Sequence, residues 1–325
     1  MKYEHVLGFA LEHPWAITPS MRALIAGILA RRIAGQEADP LELAALVNRK
    51  NLPQPKRGGV AVIPIYGTIA PRMNMLSEMS GGTTFETLTA QLEDAMANAD
   101  VRTIVFDVDS PGGNVAGATE FARAVLKARV TKPIIAQANH LMASAAYWPM
   151  ACATEIVATP SAMVGSIGVY HMHEDVSEAL AKLGVKRTII SAGKYKAEGA
   201  DGGPLTEEAL AHVKGLADAA YNQFTEDISK GRGVKVDKVR NGYGEGRVIS
   251  AADALAQGMV DRIATLSETL ARVTATAPAA GARASHDSSL AATGQELPPA
   301  ATPQEPTTDA AWLNTIAGEL LTLDL

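Results

Sequence analysis

This chain of 325 residues lacks several features that mark particular classes of protein. Its one cysteine, Cys152, excludes an intramolecular disulfide and therefore a small secreted scaffold held together by disulfides. The net charge is -6 without a long basic run, which argues against nucleic acid as a partner. The apolar stretch from Ala23 to Ala30 is far shorter than the roughly 20 residues that cross a bilayer. The first ten residues also lack the basic start and apolar core of a signal peptide, so we expect a cytoplasmic protein without a membrane anchor.

Hydrophobic residues make up 47% of the chain, which is ample for a buried core. Apolar segments rich in β-branched residues alternate with segments of helical periodicity from Val60 onwards, which predicts an α/β fold with a parallel sheet covered on both faces. The predicted strands are 60–66, 102–108, 133–139, 155–158, 166–171 and 186–191. The predicted helices are 19–35, 41–48, one capped by Thr83 and Glu86, 115–129, 175–183, 206–229 and 250–258.

Composition divides the chain into four parts. Residues 1–56 form a helical N-terminal extension and linker, and residues 57–272 form the α/β domain. Residues 273–309 are dominated by Ala, Pro and Thr without periodicity and are expected to be disordered. Residues 310–325 regain a helical pattern, and this short amphipathic helix either packs back on the domain or docks on a partner.

Four motifs carry the chemistry. They are DSPGG at 109–113, MASAAY at 142–147, VGSIGV at 164–169 and SAGKYK at 191–196. Together they supply backbone N–H donors for an oxyanion, two serines and a lysine, without a histidine. This set of groups is typical of a serine hydrolase that uses a lysine as its base.

A serine hydroxyl needs a base, and a lysine amine serves near neutral pH when its pKa falls from about 10.4 to about 7 or 8, at a cost on the order of 4 kcal/mol. The site must therefore be dry. Gly112 and Gly113 allow close backbone approach, and Ser144 places the N–H of Ala145 beside its own hydroxyl. Taken singly, Ser144 also fits a helix cap, Lys196 an exposed loop charge and the glycines a tight turn.

Two further residue groups are alternatives. Lys194 lies two residues from Lys196 and competes with it for the role of base, because the two would share a face if both lay on one strand. His171 and His173 alternate like metal ligands, but neither a cysteine nor a second histidine cluster completes a site. We therefore expect no metal and no cofactor.

The four motifs, in this order and spacing, resemble the signal peptide peptidase A family of serine peptidases. The resemblance runs from residue 60 to about 263 and includes GRVISAADALAQGMVD at 246–261. It implies a ClpP/crotonase-like repeated β-β-α core with a parallel sheet, and makes 57–272 a serine peptidase domain. It assigns Ser144 as nucleophile, Lys196 as general base and Ser166 as the serine that holds the lysine. Gly112 or Gly113, with Ala145, would form the oxyanion hole.

The resemblance also implies a ring-like homo-oligomer in which neighbouring protomers share the serine and the lysine. PWAITP at 14–19, followed by a short helix, is similar to the start of the phage head maturation branch, whose members cleave scaffold, portal or capsid proteins inside the immature head. One alternative is a soluble bacterial relative that degrades signal peptides and other small fragments. A crotonase-type acyl-CoA enzyme and a non-catalytic scaffold protein are the remaining alternatives.

Overall fold

The computed structural model describes residues 15–33, 58–72, 83–200 and 202–275. Strands alternate with helices over these residues, which confirms the α/β class and the parallel sheet. The predicted helix at 41–48, the tail from 276 to 309 and the C-terminal helix lie outside the described residues. No described helix is both long enough and apolar enough to span a membrane.

The elements are numbered along the chain. The strands are β1 (Trp15–Ile17), β2 (Val60–Tyr66), β3 (Ile69–Ala70), β4 (Thr83–Thr84), β5 (Thr103–Ser110), β6 (Gly112–Asn114), β7 (Ile134–Ala143), β8 (Glu155–Ala158), β9 (Met163–Gly165), β10 (Val248–Ser250) and β11 (Arg262–Ile263). The helices are α1 (Pro19–Ile33), α2 (Phe85–Ala97), α3 (Ala118–Ala128), α4 (Tyr147–Met150), α5 (Ser177–Lys182), α6 (Glu207–Arg232), α7 (Val236–Gly242), α8 (Ala251–Gln257) and α9 (Leu266–Ala275).

The main sheet is built on the parallel strands β2, β5 and β7. Its remaining strands continue from β7, which pairs in parallel with both β8 and β9. Strand β10 lies antiparallel to β9, and β11 lies parallel to β8. Alternate residues of β5 enter different cores: Phe106 packs in the larger one and Val105 in a smaller one with Val273 of α9. The sheet is therefore covered on both faces, as its continuous apolar strands predict.

A second, smaller sheet has the strand order β1-β6-β3-β4. Its strand β6 follows directly after β5, separated by Pro111 alone, and pairs in parallel with β3. On its other edge β6 pairs antiparallel with β1, so that the N-terminal strand lies against the glycine motif. The sequence did not predict β1, since a strand of three residues has no detectable periodicity.

Side chains cap the starts of helices α2, α6 and α8. Thr206 and Ser250 cap α6 and α8 as predicted, each accepting a hydrogen bond from a backbone N–H in the first turn. The predicted capping box of Thr83 and Glu86 is wrong, because Thr84 is the cap of α2 and accepts from the N–H of Thr87. The hydroxyl of Thr83 instead bonds the backbone of Tyr66.

Three other boundaries differ from the prediction. Residues 186–191 form no strand and are exposed, although their β-branched residues favour one locally. The strand predicted at 166–171 lies earlier, as β9, and only Tyr170 forms a bridge, to Trp15. Helix α9 extends through residues 273–275, beyond the predicted domain boundary, because Val273 is buried against the sheet.

The C-terminal half of α6 packs against α4, which overlaps the end of the motif MASAAY. Phe224 stacks on Trp148 of α4 at 4.3 Å between ring centroids, and the indole N–H of Trp148 donates to Asp227 Oδ2 at 3.0 Å. At Gly231 an added Cβ would lie 2.4 Å from the carbonyl oxygen of Ala151, so only glycine permits this approach. These contacts hold α4 and Ala151, which come directly after the turn that follows β7.

Candidate active site

Ser144 lies at the first residue after β7, where its backbone has a left-handed conformation with φ of 57°. Its N–H donates to the carbonyl oxygen of Gly165 at 2.8 Å, and its carbonyl oxygen accepts from the N–H of Trp148 at 3.0 Å. A positive φ costs a residue with a Cβ on the order of 1 kcal/mol and persists only where the surroundings impose it. Ser144 is 1% exposed, and its Oγ has no hydrogen-bond partner.

Ser166 has the same unusual backbone as Ser144. Its φ is 55°, and it follows β9 as Ser144 follows β7. The parallel register pairs Ala143 with Gly165, so the two serines leave neighbouring strands side by side. The N–H of Ser166 donates to the carbonyl oxygen of Arg247 at 2.8 Å, which fixes the turn from the other side.

The two glycines of DSPGG have different surroundings. The N–H of Gly112 donates to Ser110 Oγ at 3.2 Å, whereas Gly113 lies opposite Ala16 in the register of β1 and β6. A Cβ on Gly113 would lie 1.9 Å from the carbonyl oxygen of Ile69, and a Cβ on Gly112 would lie 2.3 Å from that of Ala16. Neither position tolerates a side chain.

The N–H of Ala145 is close to this glycine turn. A Cβ on Gly112 would lie 2.9 Å from the Ala145 nitrogen, and the Ala145 N–H donates to the carbonyl oxygen of Ala16 at 3.0 Å. Ala145 and the glycine turn therefore lie on two sides of the Ala16 carbonyl oxygen. This arrangement can bind a negatively charged oxygen.

The two lysines differ in their contacts. Lys194 forms an ion pair with Glu208 at 3.3 Å and bonds the hydroxyl of Tyr195. Lys196 is exposed, and no salt bridge joins it to any residue in the described part of the chain. Both lie in a series of turns rather than on a strand.

Ser144 and Lys196 are not hydrogen bonded within one chain, because Ser144 Oγ has no partner. The segment 171–200, which carries Lys196, contributes no residue to the core, and α5 within it buries none of its side chains. Its large apolar side chains are exposed: Leu183 at 76%, Val185 at 51%, Ile190 at 96% and Tyr195 at 50%. Exposed apolar side chains concentrated in one segment are typical of a surface that another protein covers.

Other titratable groups behave as structural residues. Burial raises the pKa of the Cys152 thiol to about 12. Burial also raises the pKa of the Tyr147 hydroxyl, which donates to the carbonyl oxygen of Met259 at 2.8 Å. In the described ranges no three His, Cys, Asp or Glu residues are grouped as a metal would require, and His173 bonds the carbonyl oxygen of Gly203.

Comparison with known proteins gives a family and two groups of relatives. Residues 127–279 match the family described as Peptidase family S49. The chain is 32% identical over 212 residues to the head-tail preconnector protein GP5 of Enterobacteria phage P21, covering 65% of this chain and 42% of that protein. It is equally identical over 212 residues to the capsid assembly protease C of Escherichia phage lambda, covering 65% and 48%.

The second group contains cellular enzymes. The chloroplastic serine protease SPPA of Arabidopsis thaliana is 29% identical over 216 residues, which cover 66% of this chain and 32% of that protein. The chain thus spans less than half the length of these three relatives. Among solved structures, a ClpP1 mutant from Listeria monocytogenes aligns with a TM-score of 0.40 at 14% identity, over 64% of this chain and 94% of that one.

Proposed function

We propose that the chain is a serine endopeptidase with Ser144 as its nucleophile, since residues 127–279 match the family described as Peptidase family S49. The observation that carries the proposal is the environment of Ser144. Its hydroxyl is buried and unpartnered, beside the backbone N–H groups of Ala145 and the DSPGG turn. A developing oxyanion there would accept hydrogen bonds from donors that are already oriented, each worth roughly 3 to 4 kcal/mol.

Lys196 is the proposed general base. It would take the proton of Ser144 Oγ as the hydroxyl adds to the substrate carbonyl, and return that proton to the leaving amine. Of the two lysines in SAGKYK, Lys194 is engaged with Glu208 and Tyr195, which leaves Lys196 as the available amine. Ser166 is proposed to hold the lysine, because it lies beside Ser144 at the ends of paired strands.

We further propose that Lys196 reaches the Ser144 of a neighbouring protomer. Ser144 is buried without a partner and Lys196 is exposed, on a segment rich in exposed apolar side chains. Packing of this segment against a second copy would cover those side chains and desolvate the amine, and desolvation favours the neutral form of a lysine. A ring of protomers would join each serine to a lysine in this way.

The proposed substrates are proteins of a phage head during assembly, namely scaffold, portal or capsid proteins, cleaved in the host cytoplasm. This choice rests on the two phage relatives, whose names describe a preconnector and a capsid assembly protease. The second candidate is a soluble bacterial peptidase, because the relatives also include a cellular serine protease.

The test compares wild type, Ser144→Ala and Lys196→Ala on an unfolded, alanine-rich protein, with fragments identified by mass spectrometry. Cleavage by the wild type alone is expected, with a loss of at least ~10⁴-fold in each variant. Equal fragment patterns from all three oligomeric proteins would refute the Ser/Lys pair. The melting temperature of each variant serves as the folding control.

A further inference from the structure

Strand β1 has hydrogen-bonding neighbours on both edges. On one edge the N–H of Trp15 donates to the carbonyl oxygen of Tyr170 at 3.0 Å, and the N–H of Tyr170 donates back to Trp15 at 3.2 Å. On the other edge β1 pairs antiparallel with β6. An extended peptide inserted between two backbone edges is a common way in which proteins bind peptide segments.

The register places one carbonyl group at the candidate oxyanion donors. The carbonyl oxygen of Ala16 accepts from the N–H of Ala145 at 3.0 Å. In the same ladder the N–H of Thr18 donates to Pro111 at 3.0 Å, and hydrogen-bonded pairs alternate in antiparallel strands. The next hydrogen-bonded pair is therefore Ala16 with Gly113, so that Ala16 faces a donor from each side of the hole.

Strand β1 also covers the nucleophile. Trp15, Ala16 and Ile17 are all buried, with at most 2% of each residue exposed. Ser144, which precedes the donor Ala145, is 1% exposed and has a free hydroxyl oxygen. While β1 is in place, no other peptide carbonyl can accept the hydrogen bond of Ala145.

We propose that Trp15–Ile17 is an internal substrate and that Ser144 cleaves the Ala16–Ile17 bond of its own chain. This proposal rests on the proposed function of Ser144 as a nucleophile. The hole that would stabilise a substrate oxyanion holds the Ala16 carbonyl oxygen. Self-cleavage would turn an occupied site into one that other proteins can enter.

The chemistry is ordinary peptide hydrolysis. Ser144 Oγ forms a bond to the carbonyl carbon of Ala16, and its proton passes to the base. The bond from that carbon to the nitrogen of Ile17 then breaks, and the nitrogen takes the proton from the base. Water hydrolyses the resulting ester, which releases a carboxylate at Ala16, frees Ser144 and leaves a new amino terminus at Ile17.

The first test measures the intact mass and N-terminal sequence of full-length wild type and Ser144→Ala, alongside cleavage of an unfolded test protein. The wild-type chain is expected to begin at Ile17, and Ser144→Ala to retain the Ala16–Ile17 bond. A wild type that cleaves the test protein but keeps this bond overturns self-cleavage and leaves the peptidase function intact. A wild-type oligomer that cleaves neither its own Ala16–Ile17 bond nor the test protein overturns both self-cleavage and the peptidase function.

A variant pair isolates the bond itself. Because hydrogen-bonded pairs alternate along β1 and β6, the N–H of Ile17 makes no bond to β6, and Ile17→Pro leaves the strand pairing intact. In this variant the nitrogen of the bond to be cleaved is part of the proline ring. This variant should stay uncleaved and digest the test protein at least ~10-fold more slowly, because a tethered occupant competes at an effective concentration on the order of mM. Ser20→Ala, in the exposed first turn of α1, should match the wild type. A folded Ile17→Pro chain that digests the test protein at the wild-type rate overturns the proposal.

Discussion

The backbone N–H of Ser144 donates to the carbonyl oxygen of Gly165 at 2.8 Å, and this bond joins the turns that follow β7 and β9. Both turns contain a serine with positive φ, at Ser144 and Ser166. The two strained residues follow adjacent strands, and the N–H of each is held by a carbonyl oxygen, that of Gly165 for Ser144 and that of Arg247 for Ser166. Strain that the fold imposes in this way is common at functional sites.

Mixing inactive variants tests whether protomers share the dyad. Ser144→Ala and Lys196→Ala should each be inactive, but oligomers assembled from both should regain part of the activity, since an intact Ser144 would meet an intact Lys196 of its neighbour. Lys194→Ala, which breaks the exposed contacts with Glu208 and Tyr195, should remain active alone. Activity is followed as fragment release after joint refolding. Mixed oligomers that stay inactive would place both groups in one chain.

Gly113→Ala tests the backbone contact at the oxyanion turn. The new Cβ would lie 1.9 Å from the carbonyl oxygen of Ile69, so β6 must shift and its donor moves away. We expect activity to fall at least ~10²-fold, in line with the loss of one oxyanion donor. Peptidase rates and thermal unfolding of the variant measure the two effects.

The matched control for that variant is Gly215→Ala, inside α6. An added Cβ there meets nothing within 4 Å. The change should leave activity as it is and stabilise the chain by about 0.5 to 1 kcal/mol, the advantage of alanine over glycine within a helix. Equal losses in both variants would mean that the oxyanion turn has no special requirement for glycine.

Cys152 should be chemically silent in the folded chain. Burial, with the negative charge of Asp227 as the second cause, raises the pKa of its thiol to about 12. Thiolate is therefore scarce at pH 8, and iodoacetamide should label Cys152 only after unfolding in guanidinium. Intact mass before and after unfolding measures this. Complete labelling of the native chain would show that the thiol is accessible.

Asp261 gives a pH-dependent contribution to stability. Burial opposes its charged form, but the bidentate hydrogen bonds of Arg232, at 2.6 and 2.9 Å, and the N–H of Ile156 hold the pKa of the carboxyl below its ordinary value. A carboxyl with a lowered pKa in the folded state stabilises the chain above its unfolded pKa, and this stability is lost as the pH falls through the folded pKa.

Asp261→Asn should therefore lower the free energy of unfolding by about 1 to 2 kcal/mol at pH 7, and by less below a pH of about 4. Urea unfolding at both pH values measures the difference. Asp218→Asn is the control, because its exposed pair with Lys214 on α6 should contribute about 0.5 kcal/mol or less. An unchanged penalty at low pH would contradict this origin.

Local signals explain which parts of the fold were predictable. The strand Val60–Tyr66 and the helix starts after Thr206 and Ser250 follow from β-branched runs and capping residues, which act within a few positions. The segment 186–191 has the same local preference for a strand but pairs with no strand in the described residues, so local preference alone gave the wrong answer. Whether a segment pairs into a sheet depends on residues that are distant from it in the sequence.

Some residues of the candidate site could be predicted from local sequence, and others could not. The motif residues at 112, 113, 144, 145 and 166 lie at strand ends and could be named from the sequence. The occupant of the site could not, because Ala16 meets Gly113 only through the fold. The spatial relation of Lys196 to Ser144 was equally hidden, since it depends on how an exposed segment is covered.

Helix α6 is packed against the rest of the domain mainly through its C-terminal half. Its buried residues lie mostly from Phe224 to Ile228, whereas in the first half only Ala209 is buried, and Glu208 near that free end contacts Lys194. From Phe224 to Glu208 the helix spans roughly 24 Å. A rotation of this helix about the stack of Phe224 on Trp148 would therefore move Glu208, which contacts Lys194, much further than the stack itself. A change in the packing behind Ser144 would in this way steer the distant amine without touching either reacting group.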